Sequence, residues 1–391
     1  MKYYGKEKCR ILKEIRAEIA RQNGIAWTVE SCAHKGNCRG TCPKCEAEVV
    51  ALEKALERRQ ALGKAVAVVG VAAAMTLSVS GCASTDLFAR QGMMEEPASA
   101  AQSGIGSVPT GKVVGEDIMG EMPLPESESE TEEATVGGVY TDETTGLLIV
   151  EPCRGRCRMK NSLSGKTVDE MTGSREALQE AAFPLAFISR LRMATDGAGV
   201  TALVGAQGCP LQCRMCLNPK AMRPADKAGV SWVTPDELCG LVRQDDLYYL
   251  ATGGGVTFGG GEPLCHADFI AAFRAVCPAG WRLYAETSLH VPAEQVRIAA
   301  CCIDHFFVDI KDMNPAVYRA YTGQVMMPVR ENLALLLSLV GADRVTVRVP
   351  LIPGFNSEED RRVSCLALRR MGVRLLDCFT YRPSAPPTDP Q

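Results

Sequence analysis

Beyond residue 189 the chain alternates between two textures, and that alternation constrains its fold more than any other feature. Six short apolar runs read as strands: Val200–Ala206, Val256–Phe258, Arg282–Glu286, Phe306–Ile310, Val345–Leu351 and Arg374–Thr380. Helix-forming stretches lie between them. The first opens Thr234-Pro235-Asp236-Glu237, a capping box with proline at the first helical position. Others start near His266, Pro292, Asn314, Val329 and Ser357. Strands separated by helices are joined by crossovers, so an α/β fold is expected, a parallel sheet with helices outside, open or closed like a barrel. In such folds the reactive residues gather at the C-terminal ends of the strands.

The residues that stand out occupy those ends. After the first strand comes Gly208-Cys209-Pro210-Leu211-Gln212-Cys213-Arg214-Met215-Cys216. Three thiols this close in one loop can converge on a soft metal centre, zinc or an iron–sulfur cluster. Half of a zinc site is one reading of the spacing. A four-iron cluster with three protein thiolates is the other, and it leaves one iron open to a ligand. After the second strand comes Gly259-Gly260-Gly261-Glu262-Pro263. Consecutive glycines let backbone approach a ligand closely, and a carboxylate beside them can receive an ammonium group, although a Gly-rich turn alone often marks only a tight bend. The third strand ends at Glu286, the fourth runs into Asp309-Ile310-Lys311, and the fifth carries Arg348. Charges inside apolar strands are costly unless paired, so these are ligand contacts at a barrel mouth, or else a structural ion pair of Asp309 with Lys311 or Arg348.

The order of these motifs resembles the radical S-adenosylmethionine (SAM) enzymes, and within them the glycyl-radical-enzyme activases, relatives of the pyruvate formate-lyase activating enzyme. The likeness runs over about residues 190–382. It rests on Thr195-Asp196-Gly197-Ala198-Gly199-Val200, the cysteine loop, Gly-Gly-Gly-Glu-Pro, Glu-Thr-Ser, Asp-Ile-Lys and Val-Arg-Val-Pro-Leu-Ile-Pro-Gly. The resemblance implies a partial (β/α)6 barrel. It implies that Cys209, Cys213 and Cys216 bind a [4Fe-4S] cluster whose open iron takes SAM, with Gly260, Gly261 and Glu262 at the methionine end. Glu286, Asp309, Lys311 and Arg348 match positions that contact SAM or order the site, and the last three are the catalytic candidates. The implied reaction is reductive cleavage of SAM to a 5′-deoxyadenosyl radical, which takes hydrogen from a glycine of a partner enzyme. A flavodoxin- or ferredoxin-type donor would supply the electron. Three departures stand out: Met215 replaces an aromatic residue, Ala198 and Thr201 replace Pro and Arg, and Tyr381-Arg382 stands where a histidine is usual. The alternatives are a radical SAM enzyme acting on a small molecule or peptide, and a membrane-tethered metal-binding adaptor with a silent barrel.

The remaining half divides by texture. Residues 1–64 form a helical Cys-rich block. Ile11, Ile15 and Ile19, with Leu12 beside them, give the first helix an apolar face, and Val49, Leu52 and Leu56 do so for the second. Between them Cys38, Cys42 and Cys45 repeat the spacing of the later loop, with Cys32, His34 and Cys9 as candidate fourth ligands of a second site, zinc or iron–sulfur. Residues 65–82 are apolar, follow Arg58, Arg59 and Lys64, and end at Cys82; this resembles a lipoprotein signal or anchor, or a soluble helix. Residues 83–150 are an acidic, Pro- and Ser-rich stretch expected to be a disordered linker, and Cys153 and Cys157 open a lead-in over 151–189. With 18 Cys but only four His, thiol chemistry in a reducing compartment is favoured, and the cytoplasm is the expected location. A net charge of −3 gives no argument for nucleic acid.

Overall fold

The computed structural model describes residues 5–29, 40–68, 140–141, 148–149, 181–193 and 195–381. Cys32, His34, Cys38, the apolar stretch from 69 to 82, Cys153 and Cys157 lie outside the described residues, as does most of the linker. Within the linker range, Tyr140–Thr141 pairs antiparallel with Leu148–Ile149.

The C-terminal half is built on one eight-stranded sheet. Its strands are β1 (Phe183–Met193), β2 (Val200–Ala206), β3 (Ser231–Val233), β4 (Gly255–Gly260), β5 (Arg282–Thr287), β6 (His305–Asp309), β7 (Val345–Leu351) and β8 (Leu375–Thr380). The order across the sheet is β8-β7-β6-β5-β4-β2-β1-β3. From β2 to β8 every neighbour is parallel, and β1 joins β2 antiparallel. Sequential parallel strands with a helix in each crossover wind in one direction only. Those helices are α3 (Pro235–Arg243), α4 (Asp246–Thr252), α5 (Ala267–Val276), α6 (Ala293–Cys302), α7 (Pro315–Thr322), α8 (Met327–Val340) and α9 (Glu358–Arg370). The capping box at Thr234 is formed, and a second one at Ser357 opens α9.

The sheet curls. Arg348 on β7 donates to the carbonyl of Thr195, just ahead of β2, at 2.8 Å. On a flat sheet β7 would lie about 19 Å from β2, four strand spacings of roughly 4.8 Å, well beyond the reach of an arginine. The strands therefore wrap into a partial barrel whose interior holds Glu286, Asp309, Lys311 and Arg348. The outer side of the strands packs on the helices through Phe183, Phe258, Phe269 and Phe273, which meet as edge-on and stacked aromatic pairs.

Ahead of the barrel stand α1 (Lys6–Gln22) and α2 (Pro43–Ala61). Leu12, Ile15 and Ile19 of the first and Val49, Leu52 and Leu56 of the second belong to the same hydrophobic core as the barrel. The apolar face is thus centred on Leu12, with Ile11 only partly buried. Arg16 lies fully buried between them, bonded to Tyr248 of α4 and to Glu48 at 2.5 Å. Arg190 of β1 adds a second tie, bidentate to Asp245 at 2.8 Å and reaching Glu46 at 3.2 Å.

Candidate active site

At the mouth of the barrel, the end of α7 and the turn after β4 are both fastened to the cysteine loop. Gln207 anchors the start of that loop, its side-chain amide donating to the carbonyls of Lys220 and Arg223. Downstream, the N–H groups of Gln212 and Arg214 donate to the carbonyls of Thr322 and Tyr321 at 2.8 and 3.1 Å. Those carbonyls end α7 and have no partner within the helix, so the loop caps the helix while the helix shapes the loop. Gln324 adds a bond to the carbonyl of Pro210. Met215 and Cys213 pack against Tyr321, Ile352, Phe355, Phe379 and Tyr381, so aromatic surface surrounds the loop even though residue 215 is not aromatic.

The glycines of the second motif have a definite purpose. A Cβ on Gly261 would stand 2.1 Å from the carbonyl oxygen of Gly208, and one on Gly260, at φ +87°, would meet Gly205 Cα at 2.6 Å. Backbone approaches backbone here: Gly261 N and Glu262 N donate to the carbonyls of Ala206 and Gly208, both at 2.9 Å. The end of β4 is thereby laid against the cysteine loop. Glu262 itself is 1% exposed. Its carboxylate accepts from Thr287 Oγ1 at 2.7 Å, from Ser288 N and Oγ at 2.8 and 2.6 Å, and from Leu264 N at 3.2 Å. Burial pushes its carboxyl upward, against the pull of those donors. Thr287 and Ser288 of the Glu-Thr-Ser motif are thereby tied to Glu262, a partnership that the motif's local spacing does not reveal.

Two ion pairs line the interior. Lys311 Nζ meets Asp309 at 2.9 Å, and Arg348 meets Glu286 at 2.6 Å. Arg348 also lies over the Phe307 ring, 4.6 Å from its centroid. Burial alone would raise the Asp309 carboxyl, but Lys311 and Arg348 overcome it and hold the group below its ordinary range. Lys311 is raised, because Asp309 and the nearby Cys213 favour its charged form over the cost of burial. The Asp309 side chain keeps 31% of its surface open even so; it sits deep among protein atoms yet faces the mouth. Asp196, the acid ahead of β2, is fully buried and pairs with Arg192 of β1 at 2.5 Å, while Thr201 bonds to it at 3.2 Å. A guanidinium thus reaches Asp196 from the neighbouring strand, although Thr201 carries none.

The three thiols of the loop are partly buried. Burial pushes Cys209 up to about 12 and Cys213 up to about 11. Among the described residues no three His, Cys, Asp or Glu groups are arranged for a single metal ion. A four-iron cluster asks for something else, one thiolate at each of three irons. The donor set fits it: three thiols on a loop that is pinned at both ends, with the Lys311 ammonium beside Cys213 to offset thiolate charge. In the N-terminal block, Cys9 and Cys45 are buried in contact, Cys42 packs on them, and Arg16 lies 3.9 Å from Cys45 Sγ.

Residues 203–363 match the family described as the radical SAM superfamily. An isethionate sulfite-lyase activating enzyme of Desulfovibrio desulfuricans is 28% identical over 223 residues, covering 42% of this chain and 72% of that protein. A pyruvate formate-lyase 2-activating enzyme of Escherichia coli is 29% identical over 215 residues, with coverage of 48% and 73%. Among solved structures, SuiB of Streptococcus suis bound to its precursor peptide SuiA aligns with a TM-score of 0.36 at 14% identity, over 46% of this chain and 38% of that one. The chain thus spans under half the length of that structure. Residues 203–363 thus match a radical SAM domain, and the C-terminal half of the chain is similar to the activating enzymes of glycyl radical enzymes.

Proposed function

We propose that this enzyme installs a glycyl radical in a partner enzyme, and that it does so from the barrel mouth described above. One observation carries the reading: the cysteine loop, the Gly-Gly-Glu turn and the Asp309–Lys311 pair, far apart in sequence, meet at the C-terminal ends of β2, β4 and β6. Cys209, Cys213 and Cys216 would hold the [4Fe-4S] cluster. Gly260 and Gly261, partly buried, would line the methionine end of SAM. Glu262 would support that end by fixing the turn, its carboxylate held by Thr287, Ser288 and Leu264. Glu286, Asp309, Lys311 and Arg348 set the charge of the cavity, and they hold their own positions by pairing. When bound, the cluster and SAM supply one-electron reductive cleavage of a sulfonium–carbon bond and, with it, hydrogen-atom abstraction. The protein's share is to bind, orient and exclude water, so no acid–base pair is needed at the reacting carbon. His305 takes no part in this: it is committed to Thr346 at 2.8 Å and pushed by burial down to about 4.

The relatives' names support a glycine of a partner enzyme as the hydrogen source, and a flavodoxin- or ferredoxin-type protein as electron donor completes the scheme. The test is anaerobic. Full-length protein, reconstituted with iron and sulfide, is given dithionite and SAM, and 5′-deoxyadenosine is measured. Formation that is lost in Cys213→Ala supports the chemistry, and a glycyl radical signal on adding a candidate partner supports the role. Turnover with a small molecule or peptide, without such a signal, would overturn the role and leave the chemistry standing. A second metal site, zinc or iron–sulfur, belongs to the same proposal, with Cys42 and Cys45 as its described residues and Cys9 against them. Metal retained by the Cys209→Ala/Cys213→Ala/Cys216→Ala variant would support it, and an empty variant would remove it. Action in the cytoplasm is part of the proposal as well. No helix among the described residues is long and apolar enough to cross a membrane, and cell fractionation checks both the location and any membrane contact through residues 65–82.

A further inference from the structure

Two tyrosines of α7 stand out once the cysteine loop has been accounted for. Tyr318 and Tyr321 are three residues apart, so their side chains leave the helix on neighbouring lines of one face. Each is 1% exposed, and neither hydroxyl has a hydrogen-bond partner among the described residues. Buried hydroxyls nearly always find a partner, and two neighbouring exceptions call for a cause. Cys213 is a neighbouring charge to each phenol, and Tyr321 belongs to the buried cluster on which Cys213 packs. The Tyr381 phenol lies close to that of Tyr321 and the Thr322 hydroxyl close to that of Tyr318, but no bond of normal geometry joins either pair. The backbone of the same helix end grips the loop, Arg214 N donating to Tyr321 O.

We infer that Tyr318 and Tyr321 are positioning residues for the cluster: their hydroxyls donate to sulfur at Cys213 and its cluster edge and so raise the cluster's reduction potential. The inference rests on the cluster assignment above. The physical reason is simple. Reduction adds negative charge that spreads onto sulfur, and an O–H donor stabilises that charge, as hydrogen bonds to cluster sulfur generally do. The ring bodies meanwhile keep water from the loop.

The test uses the full-length enzyme, reconstituted anaerobically, with Tyr318→Phe, Tyr321→Phe and the double variant, since phenylalanine removes only the hydroxyl. Iron per chain, the midpoint potential and the spin-resonance g-values of the reduced cluster are measured. Each single variant is expected to keep its iron and to shift the potential to more negative values, with a larger shift in the double variant. Tyr249→Phe is the control: that hydroxyl is also buried and unpartnered, but it lies on α4 beside Trp281, away from the loop. Full iron with unchanged potential in the double variant would overturn the inference, and so would an equal shift in Tyr249→Phe. Should the double variant lose its cluster, the single variants decide by the same criterion. Failure of the unmodified chain to take up iron would overturn both this inference and the cluster assignment, which is distinguishable from a loaded cluster that ignores the substitutions.

Discussion

At the scale of single residues, Glu262 and Asp309, two of the carboxylates of the mouth, illustrate opposite uses of burial. Glu262 is saturated with donors, two of them backbone N–H groups that cannot turn away. Glu262→Gln keeps the shape but puts an amide NH2 where one oxygen accepted. The hydroxyls of Thr287 and Ser288 can rotate, whereas one backbone donor loses its acceptor. The cost of such a group is about 1–3 kcal/mol. A denaturation midpoint of the cluster-free protein that falls by this amount is the expected result; an unchanged midpoint would mean that the network is not structural. Asp309 is the reverse case. Its folded-state carboxyl lies below the ordinary range, so its stabilising effect is present above the unfolded value of about 3.9 and is lost as pH falls through the lower folded value. Asp309→Asn leaves Lys311 without its counter-charge. Breaking a buried pair costs roughly 3–5 kcal/mol, and the lower end applies because Asp309 is partly open. The stability gap between the two proteins should be full at pH 7, begin to close as pH drops below the ordinary carboxyl range, and vanish in stronger acid. A gap that does not change with pH would sink this account.

At the scale of elements, the join between β4 and the cysteine loop is the place where geometry is least forgiving. Gly261→Ala would drive a methyl group into the Gly208 carbonyl, with the Ala206 and Ala221 carbonyls 2.9 Å away. All three are backbone, so neither a rotamer change nor a flexible side chain can relieve the contact. The loss should exceed the roughly 1–3 kcal/mol typical of overpacking, and iron uptake should fall with it. Gly240→Ala in α3 is the contrast: nothing lies within 4 Å of its Cβ position, so the gain in helix propensity should stabilise by about 0.5–1 kcal/mol. Melting curves of the two variants moving in the same direction would refute the argument. The same elements show what a sequence can and cannot reveal. Six parallel strands were legible to within a residue or two because each is an apolar run closed off by glycine, proline or charge. β1 was not. Pro184 breaks its pattern near one end, and a register shift between Ser189 and Arg192, with Leu191 at φ +54°, destroys its period at the other. The lead-in boundary near residue 189 therefore fell inside a strand that begins at Phe183. The cysteines and Gly-Gly-Glu stood out because their spacing is local. Tyr318 and Tyr321 did not, and Glu-Thr-Ser stood out without its partner, since a bond to Glu262 or an orphaned hydroxyl near Cys213 exists only after the sheet has curled.

At the scale of the whole molecule, the N-terminal helices and the barrel form one core, and Arg16 is the bolt through it. Its guanidinium is fully buried where both helices meet α4, with Tyr248, Glu48 and Cys45 around it. An arginine in such a place is stable only while its partners stay. The apolar contacts there, from Leu12 to Leu56, are worth about 1.5–3 kcal/mol for each side chain fully buried, so docking does not depend on Arg16 alone. What Arg16 adds is register, since Tyr248 and Glu48 approach it from different elements. Arg16→Ala opens a cavity and strands the Glu48 carboxylate at an apolar seam, which should weaken docking without unfolding the barrel. Cleavage at a protease site introduced between residue 68 and the start of β1 should then release the helices from a barrel that stays intact, while the parent chain cut at the same site keeps both pieces together through purification. Hydrogen exchange should agree, with protection lost in the first two helices and kept in β2, β4 and β5. If the variant's cut pieces also stay together and its exchange pattern matches that of the parent, the apolar seam alone sets the docking and Arg16 is dispensable. The outcome bears on the cysteines as well, for Cys9 and Cys45 ride on these helices, and a block that docks in one register keeps them beside α4, at the opposite end of β2 from the cysteine loop.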